Sequence, residues 1–270
     1  MTKQNLHTHT IYCDGKDTPE EMVLTAIDKG FDSIGFSIHS FMDYFPPFVA
    51  QGDMTDDHRR EIIRLKEAYK DKISIYLGVE YDFFSEPEFD GYEYAIGSVH
   101  FLKLQGEKVS FDEGEKVVED IIETYFGGDG MKYAKAYYET LAQLPARGRF
   151  DILGHFDIVT KHAENRKFFD CESKEYMDAA FEAAHALAGK IPFFEVNTGA
   201  IARGYRTTPY PAIPIIKELK RLGFGAVISS DCHRRDMLDC RFDEAAQLLY
   251  ECGFKEKYIL TDAGFTAVKL

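Results

Sequence analysis

Nine histidines stand in this sequence, at positions 7, 9, 39, 58, 100, 155, 162, 185 and 233. His7, His9, His39, His100 and His155 each lie at or within two residues of the end of a short apolar run that reads as a β-strand, and His233 follows the last such run by two. Glu80 and Asp231 close runs of the same kind. Imidazole nitrogens and carboxylate oxygens are the donors that hold divalent metals. Two histidines spaced as in His7-Thr8-His9 point to the same side of a strand and suit one ion. A single histidine after an apolar strand is ordinarily a packed core or loop residue. Its recurrence at successive strand ends is what points to a metal centre. His58 and His185 fall inside helical patterns and His162 in a polar loop, so these three are expected to be packing or surface residues.

The elements that would position these side chains alternate along the chain. Apolar runs at 5–9, 33–39, 73–80, 94–100, 151–155, 193–197 and 226–231 read as strands. Helical patterns lie between most of them, at 55–70, 113–125, 131–144, 174–187, 212–222 and 242–252. The first helix is marked by Thr18 as N-cap, Pro19 at the first helical position and Glu21 completing a capping box. Its apolar face is Met22, Val23, Ala26 and Ile27, and Gly30 is its stop. Strand-helix alternation without a linker predicts a single α/β domain over 1–270, a distorted (β/α)7 TIM-like barrel, with an open doubly wound sheet as the alternative. In such a barrel the C-terminal strand ends meet on one face, which carries the chemistry. No G-x-G-x-x-G follows a strand, so dinucleotide binding has no support.

Composition narrows the function further. The 270 residues carry a net charge of −14, which disfavours binding to nucleic acid. Bound metal ions would invert that charge locally and admit an anionic substrate. The five cysteines are scattered, so neither a disulfide framework nor a thiolate zinc site is expected. No apolar run is long enough for a membrane span, and the N-terminus lacks the apolar stretch of a signal peptide, so a cytoplasmic protein is expected. A homo-oligomer is compatible with the sequence.

The motifs His7-Thr8-His9, Asp14, His39, Gly78-Val79-Glu80, Ser98-Val99-His100, Gly154-His155-Phe156-Asp157 and Ser230-Asp231-Cys232-His233 together resemble those of the polymerase and histidinol phosphatase (PHP) superfamily. The likeness spans nearly the whole chain in motif order. Ser98-Val99-His100-Phe101 and Glu195-Val196-Asn197-Thr198-Gly199 are similar to its monofunctional histidinol-phosphate phosphatase branch. The resemblance implies three divalent metal ions: one held by His7, His9, Glu80 and Asp231, a second by Glu80, His100 and His155, a third by Asp14, His39 and His233. Glu80, Asp231 and His233 would be the catalytic members. Asp14 stands where many relatives carry a histidine, and Cys13 lies beside it. Oxygen and nitrogen donors fit zinc, iron or manganese.

Two metals sharing one carboxylate is an arrangement used for phosphate-ester hydrolysis. The implied reaction is conversion of L-histidinol phosphate to L-histidinol and phosphate. A phosphate dianion also calls for fixed cations. Arg203 and Arg206 follow the strand ending at Asn197, and Lys161 lies near where relatives carry an arginine. Arg234 and Arg235 are weaker candidates. Asp43, Tyr44 and Asp157 are candidates to meet the amine and imidazole, and the proline-rich stretch 40–53 reads as a lid. The alternatives are a related phosphoesterase acting on a nucleotide or a DNA 3′ end, a non-catalytic metal-binding domain, and an amidohydrolase.

Overall fold

Helix α1 (Pro19–Asp28) begins at a reciprocal cap. Thr18 Oγ1 accepts from the Glu21 N–H at 3.2 Å, and Glu21 Oε2 accepts from the Thr18 N–H at 2.9 Å. It ends where Gly30 takes φ 69°, which lets the N–H groups of Gly30 and Phe31 reach the carbonyls of Ile27 and Ala26. Met22, Val23 and Ala26 are buried, as their spacing predicts. This computed structural model describes residues 2–42, 52–86 and 88–270. Asp43, Tyr44 and most of the expected lid lie outside the described residues.

The remaining predicted helices form as α2 (Gly52–Tyr69), α3 (Glu115–Phe126), α4 (Gly130–Leu141), α5 (Lys174–Leu187), α7 (Ile213–Arg221) and α8 (Phe242–Glu251), and the short α6 (Gly199–Ala202) is an addition the sequence pattern did not predict. The strands between them are β1 (Gln4–Asn5), β2 (Ser33–His39), β3 (Ser74–Asp82), β4 (Tyr94–Ser98), β5 (Phe101–Leu104), β6 (Glu107–Ser110), β7 (Ile152–Leu153), β8 (Phe193–Asn197), β9 (Gly225–Ser229), β10 (Glu256–Thr261) and β11 (Gly264–Lys269).

One parallel sheet runs β1-β2-β3-β4-β7-β8-β9. Its edges approach each other: the Cys232 N–H donates to the His7 carbonyl at 2.9 Å and the His9 N–H to the Cys232 carbonyl at 2.8 Å. The sheet is therefore a nearly closed seven-stranded barrel, and the open alternative does not hold. Nearly every residue of β2 to β4 is buried, because helices cover one face and the barrel interior the other.

Tyr94 fills the lower interior. A Cβ on Gly35 would come 2.4 Å from its hydroxyl, and one on Gly78 2.1 Å from its Cζ. Its hydroxyl donates to the Leu6 carbonyl. Leu6, Tyr76, Ile96, Ile152 and Val227 complete this layer, leaving the C-terminal strand ends for polar groups.

Two antiparallel hairpins were not predicted. β5 and β6 turn at Gln105-Gly106, both at positive φ, which is hairpin-turn backbone. β10 and β11 pair at the C-terminus, and Gln4 clasps the Leu260 backbone through both amide atoms. The first sits between β4 and α3 and the second after α8, so neither belongs to the strand-helix alternation by which the barrel strands were recognised. No helix among the described residues is long and apolar enough to cross a membrane.

Candidate metal centre

The strand ends bring the predicted ligands together. β2 and β3 pair with His39 opposite Glu80. His7 and His9 follow β1, His100 and His155 follow β4 and β7, and Asp231 and His233 follow β9. Asp231 sits at φ 46°, a left-handed conformation that a non-glycine residue adopts at some cost and that is characteristic of functional turns. Gly199 makes room for it, since a Cβ there would lie 2.8 Å from the Asp231 Cβ.

Three clusters result. In the first, His7 Nε2 is 3.2 Å from Glu80 Oε2 and 3.6 Å from Asp231 Oδ1, and His9 Nε2 is 3.4 Å from each of these oxygens. Ligands bound at about 2.0–2.2 Å around a tetrahedral ion stand roughly 3.4 Å apart, so the spacing fits. In the second, Glu80 Oε1 is 3.1 Å from His155 Nε2 and 3.4 Å from His100 Nε2, and those nitrogens are 3.2 Å apart. In the third, Asp14 is 3.6 Å from His39 Nε2 and 2.9 Å from His233 Nε2. His9 joins this last group through Nδ1, 3.7 Å from Asp14.

The donors fit metal ions for a second reason. His7 Nε2, His9 Nε2, Asp14 Oδ1 and Glu80 Oε2 are buried without a hydrogen-bond partner. Polar atoms left so at such cost belong to a site that something else completes. Burial and the neighbouring His39 and His233 push the His9 imidazole down to about 3, leaving it neutral, as a ligand must be. Burial opposes charge on Glu80, yet His7, His39 and His100 hold it well below the usual carboxylate range. Asp231 behaves likewise beside Arg203, and Asp14 beside His233 and His39.

Outer groups fix the ligands. Glu195 accepts from His7 Nδ1 at 3.0 Å, from the His155 N–H at 2.7 Å, from Asn197 Nδ2 at 2.8 Å and from Ser229 Oγ. Ser98 Oγ donates to Glu80 Oε1 at 2.7 Å, and Asp82 accepts from the His100 N–H at 2.7 Å. Sequence reading gave none of these three a role, although Asp82 and Ser98 sit two residues from ligands, and Glu195 two before Asn197, on the same strand faces.

A cavity of about 390 Å³ opens above the clusters. Arg203 and Lys161 line it. Arg203 grips Asp231, with Nη2 2.9 Å from Oδ2 and Nη1 2.9 Å from the carbonyl oxygen. Lys161 Nζ donates to Asp112 Oδ1 at 2.8 Å and to its carbonyl at 2.9 Å. Burial works against the charge of Asp112, but Lys161 and His100 hold it below the ordinary carboxylate range. Asp112 was missed because the unrecognised β5–β6 hairpin is what folds it back beside His100.

Arg206, expected at this face, does not line the cavity. It donates to Thr160 and Thr208 and lies 4.7 Å over the Tyr210 ring, so packing turns it away. Asp157 is also turned away, buried and accepting from the Ala212 N–H at 3.0 Å. Arg234 and Arg235 make surface ion pairs with Asp236, Asp17 and Glu21. His162 Nε2 donates to the Glu113 carbonyl, and His185 faces Glu218, in keeping with the non-catalytic reading.

The family model described as "PHP domain" matches residues 5–199. Histidinol-phosphatase from Bacillus subtilis is 25% identical over 257 residues, covering 87% of this chain and 94% of its own. Histidinol-phosphatase from Lactococcus lactis is 25% identical over 272 residues, covering 95% and 93%. The crystal structure of the L. lactis histidinol phosphate phosphatase complexed with zinc, L-histidinol and phosphate superposes with TM-score 0.74 at 22% identity, covering 98% of this chain and 99% of that one. A Listeria monocytogenes structure superposes with TM-score 0.77 at 21% identity, covering 90% and 99%.

Proposed function

The chain belongs to the PHP domain family, and on that premise we propose that it is a histidinol-phosphatase, a phosphoric monoester hydrolase converting L-histidinol phosphate to L-histidinol and phosphate. The observation that carries this is the junction at Glu80. One carboxylate faces His7, His9 and His39 with Oε2 and His100 and His155 with Oε1, beneath a cavity walled by Arg203 and Lys161. The full-length relatives named for this activity support the substrate.

His7, His9, Glu80 and Asp231 would hold one divalent ion, Glu80, His100 and His155 a second, and Asp14, His39 and His233, with His9 adjacent, a third. Zinc, iron and manganese all suit these donors. Bound there, the ions would supply Lewis acidity and an activated water at neutral pH. The chain's own groups do the rest. Glu195, Ser98 and Asp82 fix ligand orientation, Arg203 and Lys161 present positive charge to phosphoryl oxygens, and Arg203 also holds Asp231 in place. The acidic chain and small cavity weigh against a DNA 3′ end as substrate.

Steady-state kinetics test the reading. With Mn²⁺ or Zn²⁺ supplied, kcat/KM for histidinol phosphate should exceed those for a nucleoside monophosphate and for p-nitrophenyl phosphate. Equal values for the three would refute the substrate assignment. Fewer than two metal equivalents in active protein would refute the multinuclear centre.

A further inference from the structure

We propose that Asp112 is a specificity-determining residue that selects phosphate esters bearing an ammonium group close to the ester oxygen. The inference rests on the histidinol-phosphatase reading and adds to it the group that reads the amine.

The cavity has faces of opposite charge. Arg203 and Lys161 stand on its wall, and so does the carboxylate of Asp112. A carboxylate beside a site for a phosphate dianion is unfavourable unless a cation lies between them or the ligand brings one. Lys161 is the cation between. Its ammonium donates to Asp112 Oδ1 at 2.8 Å while its side chain lines the cavity. Among the described residues, no donor reaches Asp112 Oδ2. That oxygen belongs to a carboxylate whose other oxygen is paired with Lys161 and which keeps a third of its side-chain surface exposed, so it is open to a ligand.

The spacing agrees with the substrate. Charge-assisted contacts run about 2.7–2.9 Å, so a lysine ammonium touching both a phosphoryl oxygen and Asp112 holds them roughly 5 Å apart. In histidinol phosphate the ammonium is two carbons from the ester oxygen and spans a similar gap. Met42 and Phe101 line the same cavity and offer an apolar wall for the imidazole ring. Asp112 thus discriminates in two ways. It gains a partner when the ester carries an amine, and it draws charge from Lys161 when the ester does not.

The test compares wild-type enzyme, Asp112→Asn, Asp112→Glu and Lys161→Gln, all metal-loaded, on three esters. These are histidinol phosphate, its analogue with hydrogen in place of the amine, and p-nitrophenyl phosphate. Wild type should prefer histidinol phosphate over the amine-free analogue by about 10- to 100-fold, the range for a hydrogen bond between charged groups. Asp112→Asn should collapse that ratio, chiefly through KM for histidinol phosphate, and Asp112→Glu should recover part of it. Lys161→Gln should weaken all three esters, the two without an amine most, so that the preference for histidinol phosphate rises.

An Asp112→Asn enzyme that loses activity on every ester while keeping the wild-type ratio would overturn the proposal. So would a wild type that favours histidinol phosphate over p-nitrophenyl phosphate but not over the amine-free analogue, a result that needs no variant to fold and leaves the phosphatase reading standing. A wild type that prefers neither imidazole ester to p-nitrophenyl phosphate would overturn the phosphatase reading, and this proposal with it.

Discussion

His39 and Glu80 are register partners on adjacent parallel strands, and His39 Nδ1 lies 3.1 Å from Glu80 Oε2. The same oxygen faces His7 and His9 while Oε1 faces His100 and His155, so one carboxylate sits among histidines from four segments far apart in sequence. Replacing Glu80 by Gln keeps the volume and removes the charge. The variant should lose the ions at both clusters that Glu80 serves, and kcat/KM should fall by at least about 10³-fold, as for loss of a principal electrostatic group. Metal analysis beside kinetics checks this. A variant that retains full metal content would show that Glu80 is not the shared ligand.

Glu195 is the outer residue with most to lose. It accepts from His7, Ser229, Asn197 and the His155 backbone, so it aligns ligands of two clusters at once. In Glu195→Gln an amide NH₂ must face one of those donors. Loss of such outer contacts typically costs 10- to 100-fold in metal affinity or activity, and a fall of about that size is expected here. Chelator competition measures it. Wild-type affinity in the variant would mean that His7 is aligned without Glu195.

Metal removal should expose a pH dependence of definite sign. Burial disfavours charge on His7 and His39, but Glu195 and Glu80 beside the first and Glu80 and Asp14 beside the second hold both pKa values well above the ordinary imidazole value. Their contribution to the metal-free fold is complete below the unfolded value of about 6.5 and is lost as pH rises through the folded pKa. Glu80, Asp14 and Asp231 are depressed, so their contribution is present above about 4 and is lost as pH falls through the folded values. Metal ions bind the deprotonated imidazoles. The rise in Tm on adding metal should therefore grow from pH 6 to pH 8.5, and binding should release protons measurable by calorimetry in buffers of different ionisation enthalpy. An increment that stays flat over that range would contradict the assignment of His7 and His39 as ligands.

What the sequence made legible follows from what each residue signals locally. The barrel strands announce themselves because β2, β3 and β4 are buried on both faces and so are largely apolar, with the ligand residues where the chain reaches the C-terminal face. Thr18, Glu21 and Gly30 mark α1 because capping is a matter of neighbours in the chain. The inner ligands were legible because their residue types are rare at strand ends. Glu195 was seen only as part of a motif, since a carboxylate on a strand reads the same whether it faces solvent or orients a histidine 188 residues away. Asp112 and Arg206 depended on chain paths with weak local signals. The hairpin turning at Gln105-Gly106 brings Asp112 in, and the Tyr210 ring draws Arg206 out.

That exchange separates two arginines that look alike in sequence. Arg203 lines the cavity and holds both the carboxylate and the carbonyl of Asp231, a residue in a left-handed conformation. Arg203→Ala should raise KM for the phosphate ester and also loosen Asp231, so kcat should fall with it. Arg203→Lys, which retains charge but not the fork, should recover KM better than kcat. Arg206 instead ties Thr160 to Thr208 over Tyr210. Arg206→Ala should keep KM within about twofold while costing roughly 1–3 kcal/mol of stability, the scale for hydrogen bonds to a charged group. For a chain of this size that is a Tm lower by several degrees, at about 2–4 °C per kcal/mol. Thermal melts and kinetics on the two alanine variants decide the matter. A large KM change in Arg206→Ala with an unmoved Tm would return Arg206 to the phosphate site and remove its structural role.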